Sequence, residues 1–66
     1  MNIQMLKGKI VERGLNVNTV ASKIGIDRSC LYRKLRGGDK ITIGEAAKIK
    51  EALNLTEEEA MAIFFN

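Results

Sequence analysis

Between residues 17 and 36 the chain reads VNTVASKIGIDRSCLYRKLR, and no other stretch narrows the possible folds as much. Val17, Val20, Ala21 and Ile24 recur at the spacing of an apolar helix face. Gly25 follows, a residue free to take the left-handed backbone that ends a helix abruptly. Ile26 is apolar and fills the angle between two helices. Asp27 offers a carboxylate to the unpaired N–H groups of a new helix. That helix begins at Arg28, sets Leu31 and Leu35 one turn apart and stops at the pair Gly37–Gly38. A helix, a glycine turn and a capped second helix describe a helix-turn-helix over about residues 17–36.

The flanks read as helices too. Asn2 to Arg13 carries Ile3, Leu6 and Ile10 as one stripe, with Lys7, Lys9, Glu12 and Arg13 around it. Gly14 is suited to end this helix, Leu15 to plug the core, and Asn16 to cap the next helix. Gly8 either permits a close helix approach or is a surface glycine. Thr42-Ile43-Gly44-Glu45 and Thr56-Glu57-Glu58-Glu59 are both capping boxes, in which a Thr hydroxyl and a Glu carboxylate satisfy orphan N–H groups reciprocally. They start a fourth helix, about Ile43 to Leu53, and a fifth, about Glu57 to Phe65. The fourth turns Ala46, Ile49 and Leu53 inward, and Asn54 takes the left-handed position after it. With neither repeats nor a low-complexity linker, residues 1–66 are expected to form one all-α domain, a five-helix orthogonal bundle.

Chemistry is constrained by what the composition lacks. The chain has no histidine and one cysteine, so a nucleophile–base pair or a His/Cys metal cluster is not available, and no enzymatic role, metal or cofactor is expected. The clustered carboxylates Glu57 to Glu59 are explained by the cap and the helix dipole. A lone cysteine cannot staple the fold, which suits a reducing compartment. The longest apolar run, Ala60 to Phe65, is too short to span a bilayer, so the expected location is the cytoplasm, with no membrane partner and no small-molecule ligand. Charge is unevenly spread: residues 1–40 hold nine Lys or Arg against three acids, a net +6, while residues 41–66 come to −3. Concentration of positive charge around the helix-turn-helix favours a polyanionic partner over an ordinary solvated face.

The segment from Val20 to Leu31 (VASKIGIDRSCL) resembles the motif of the Cro/cI-type (XRE) phage and bacterial repressors, LA-x-x-x-G-[VI]-[ST]-x-[ST]-x-[ILV]. Ala21 stands four residues before Gly25 and Leu31 six after it, and a small residue at Ala21 lets the second helix approach the first. Two departures matter. Val17 stands where the family usually has Gln. Lys34 stands three after Leu31 where an apolar residue is usual, with Leu35 taking over as anchor.

The resemblance implies a lambda-repressor-like fold and a Cro-like or repressor-like regulator, of phage or prophage type, that binds double-stranded operator DNA as a homodimer. In motifs of this kind the second helix enters the major groove. Leu31 and Leu35 define its buried side. Arg28, Ser29 and Arg33 are then the base-reading residues, since Arg bonds guanine O6 and N7 bidentately. Tyr32 and Arg36 are assigned to phosphate, as are Asn18 and Thr19 at the start of the preceding helix. Lys40, in the loop after the second helix, is a phosphate contact or a solvated lysine. Cys30 reads as a small residue where the family has Ser or Thr, the alternative being a redox sensor beside the DNA. A rival from another class is a protein-interaction module, such as the antitoxin of a toxin–antitoxin pair.

The carboxyl end poses a separate question. On a helical wheel Met61, Ile63, Phe64 and Phe65 span more than one stripe. Either one phenylalanine packs inside and the other is exposed, or Phe64 and Phe65, with Met61 or Ile63, form a two-fold interface.

Overall fold

Short-range capping chemistry sets where each helix begins. The computed structural model describes residues 1–37 and 40–65; Gly38, Asp39 and Asn66, including the second half of the Gly37–Gly38 stop, lie outside the described residues. Among the described residues there are five α-helices and no strand: α1 Ile3–Glu12, α2 Val17–Ile24, α3 Arg28–Leu35, α4 Ile43–Ala52 and α5 Glu57–Phe64. Each is preceded by a side chain that takes up an orphan N–H: Asn2, Asn16, Asp27, Thr42 and Thr56. Both Thr–Glu capping boxes form reciprocally. Asn16 makes a third with Thr19.

The ends follow one recurring design. After α1, Gly14 takes φ +70 and donates to Val11 O, and Leu15 N–H reaches Ile10 O at 3.0 Å. After α2, Gly25 takes φ +76 and donates to Ser22 O, and Ile26 N–H reaches Ala21 O at 3.1 Å. After α4, Asn54 takes φ 52 and donates to Glu51 O, and Leu55 N–H reaches Lys50 O at 2.9 Å. These are Schellman endings, in which a left-handed residue is followed by an apolar one that folds back on the core. Leu15 and Ile26 pack against the core and Leu55 joins it, so the same two residues that stop a helix also anchor the turn beneath it.

α2 packs against α3 and α4, and α1 against α5. The core collects Leu6 and Ile10 from α1, Val20, Ala21 and Ile24 from α2, Leu31 and Leu35 from α3, Ile49 from α4, and Leu53, Leu55 and Ile63 beyond it. Ala46 is only half-buried. Gly8 is exposed, and a methyl group added there would meet nothing within 4 Å, which makes it a surface glycine. No helix among the described residues is long and apolar enough to cross a membrane.

The carboxyl-terminal expectation needs a correction. Ile63 is wholly buried in the core, and Asn2 N–H bonds its carbonyl at 2.7 Å, so it has no surface to offer a two-fold interface. Phe64 packs partly against the core, while Phe65 is 64% exposed and Met61 56% exposed. The wheel does not extend to Phe65, because α5 ends at Phe64 and Phe65 has left the helical backbone at φ −121. The direction of the core was missing, because it is set by α1 across the bundle.

Candidate nucleic-acid interface

The turn between α2 and α3 consists of Gly25, Ile26 and Asp27. Ala21, 2% exposed, sits where α2 meets it. Leu31 and Leu35 seat α3 in the core from one side, and this rotation decides which side chains face water. Arg28, Ser29, Tyr32, Arg33 and Arg36 are all exposed: Ser29, Arg33 and Arg36 on the side turned from Leu31 and Leu35, Tyr32 at its flank, and Arg28 at the amino end of the helix. Eight residues rise about 12 Å, close to the width of a B-form major groove.

Asp27 anchors the amino end of that surface. Its Oδ2 accepts the Ser29 N–H at 3.2 Å and also the Ser29 hydroxyl. Those bonds, with Arg28 and Arg33 nearby, hold the Asp27 carboxyl below its usual range. It therefore stays ionised at neutral pH and keeps the Ser29 hydroxyl turned toward it, with oxygen lone pairs outward. Arg33 Nη2 donates to Cys30 Sγ at 3.4 Å. Cys30 is half-buried and free of any disulfide.

The remaining predicted residues divide. Asn18, on the first turn of α2, is exposed. Thr19 is exposed too, but its hydroxyl accepts the Asn16 N–H and donates to Asn16 O, both at 2.9 Å. Its proton is spent on the cap, which removes it as a phosphate donor; the sequence spacing that makes it N3 of a capping box carried this signal. Lys40 is exposed, and its carbonyl accepts a bond from Lys34 Nζ at 3.1 Å.

Lys34 is the residue whose role the motif pattern obscured. Standing where an apolar residue is usual, it is half-buried and pairs with Glu45 at 3.1 Å, tying α3 to the start of α4. Glu45 serves the Thr42 cap at the same time, and its carboxyl is lowered first by the Thr42 N–H and further by Lys34. Lys9 and Arg13 are likewise committed, to Glu59 and Glu12. The positive excess of residues 1–40 is therefore smaller in space than along the chain. Among the described residues Lys9, Arg13 and Lys34 pair with glutamates, and Arg28, Arg33, Arg36 and Lys40 cluster in and just after α3.

Comparison with protein-family models, with curated proteins and with solved structures finds no match for this chain.

Proposed function

We propose that this protein is a sequence-specific DNA-binding regulator that lays α3 in the major groove of an operator and acts there as a homodimer. The observation that carries the reading is the exposed surface of α3, where Ser29 and Arg33 stand on the side away from the Leu31 and Leu35 anchors, Arg28 stands at the amino end, and Tyr32 and Arg36 are beside them. Arg28 and Arg33 bring donors for guanine, and Ser29 brings an oxygen acceptor for an exocyclic amine. Tyr32, Arg36, Lys40 and Asn18 lie at the flanks as phosphate contacts, with the N–H groups at the start of α2. Occupancy of a promoter by such a dimer blocks polymerase, the action of a Cro-like or repressor-like protein.

The test is selection of bound sequences from a random duplex library, followed by titration of the selected site across salt. The expected result is a two-fold-symmetric consensus and a log–log salt slope of about −4 to −8, from phosphate contacts made by two copies. A flat salt response, or no enrichment, would leave the interaction-module reading ahead.

A further inference from the structure

Beside the carboxyl end of α3 lies an open groove of about 380 Å³ whose walls come from four parts of the chain. Met1 and Ile3 line one side, Ile41 and Ile43 another, and Phe64 and Phe65 a third. Ile3, Ile41 and Phe64 form a half-buried floor packed on the core. Around it stand Ile43, 80% exposed, Phe65, 64% exposed, and Met1, 45% exposed. From this we infer that the groove is the surface on which a second copy of the chain docks, with Ile43 and Phe65 of each copy set against the floor of the other. The inference rests on the dimer in the functional reading above but not on its DNA, and it keeps Phe64 and Phe65 of the expected carboxyl-terminal interface while replacing Met61 and Ile63 with Met1, Ile3, Ile41 and Ile43.

Three observations favour a second copy. First, the patch contains both a floor and the side chains to fill it, the self-complementarity that a two-fold contact requires. Second, the charge suits apolar contact with a like surface. Among the described lining residues the cations are Lys34, Lys40 and the Met1 amino group, and Lys34 is neutralised by Glu45, so two charges remain, fewer than the basic cluster an anionic membrane needs. Third, the area fits a weak dimer. The exposed parts of Met1, Ile43 and Phe65 come to roughly 350–400 Å², taking about 200 Å² for a whole large apolar side chain. If they supply about 65% of the contact, each copy buries roughly 600 Å², at the low end for a specific interface. Such a dimer dissociates readily when dilute.

Sedimentation equilibrium of the full chain without DNA, from about 10 μM to 1 mM, tests this in the concentration range expected of so small an interface. Self-association is expected in the upper part of that range. Ile43→Glu is expected to weaken it at least tenfold while the fold is kept, because residue 43 is exposed and an acid suits the first turn of α4. Met61→Glu and Val11→Glu alter exposed apolar residues outside the groove and should leave association unchanged. Circular dichroism confirms that each variant is folded. A wild type monomeric throughout overturns the dimer itself. Association that survives Ile43→Glu but falls with Met61→Glu overturns the groove and places the interface on the outer face of α5. Binding to anionic vesicles that Ile43→Glu abolishes, with no self-association, assigns the groove to lipid and also overturns the proposal. Loss of DNA binding alone affects none of these readouts.

Discussion

Arg28 and Arg33 carry the same guanidinium group in different settings. Arg28 is the first residue of α3 and its side chain makes no hydrogen bond among the described residues, whereas Arg33 is steadied by the Cys30 sulfur. If both read guanine, either change to Ala should cost about 1–3 kcal/mol on the selected operator and less on random duplex. Parallel binding isotherms on the two DNAs check this, and an equal loss on both would move the residue to the phosphate class. The exposure of Arg33 was legible from the sequence, because Leu31 and Leu35 fix the rotation of a helix this short; Arg28 falls on the Leu35 side of the wheel and is exposed as the first residue of the helix. The engagement of Lys34 was not legible, since its partner Glu45 comes from another helix and nothing local distinguishes that lysine from a DNA contact.

At the scale of the helix, two glycines with opposite roles offer a sharp comparison. Gly25 holds φ +76 in the turn that aims α3, a conformation that costs an L side chain about 1–2 kcal/mol. Gly8 lies inside α1 with open space where a methyl group would go. Gly25→Ala should therefore lower stability by about 1–2 kcal/mol, while Gly8→Ala should raise it by about 0.5–1 kcal/mol. Urea unfolding of both variants decides the matter, and a loss at Gly8 would mean that α1 is held by a packing contact at that position. The caps Asn16, Asp27, Thr42 and Thr56 were readable in advance because each depends on side chains within three residues; Asn2, expected inside the first helix, caps it instead. Leu55 was not recognised as core because a helical period says nothing about a residue in a turn. The preceding left-handed Asn54 was the available signal, since Gly14–Leu15 and Gly25–Ile26 show the same pairing.

For the molecule as a whole, stability in acid should depend on the contact between the first and last helices. Glu59 begins as a local cap, its Oε1 accepting the Thr56 N–H at 2.9 Å with Arg13 Nη2 3.8 Å away, but its Oε2 lies 2.5 Å from Lys9 Nζ on α1. Lys9, then the Thr56 N–H, push its pKa from 4.5 to about 2. Because the folded value lies below the unfolded one, the unfolded chain takes up the proton first as pH falls. The contribution of this carboxylate is therefore whole above about pH 4.5, shrinks below it and is gone near pH 2. Glu59→Gln keeps an oxygen for the Thr56 N–H but removes the charge and the titration. The variant should be less stable than the wild type at pH 7, and the gap between their urea midpoints should close as pH drops from 4.5 to 2. Some acid sensitivity should persist in the variant, since Asp27 and Glu45 are also held below their usual values. A gap that stays constant down to pH 2 would mean that the glutamate stabilises the fold through packing or its cap alone, with no share from the Lys9 contact that joins α5 to α1.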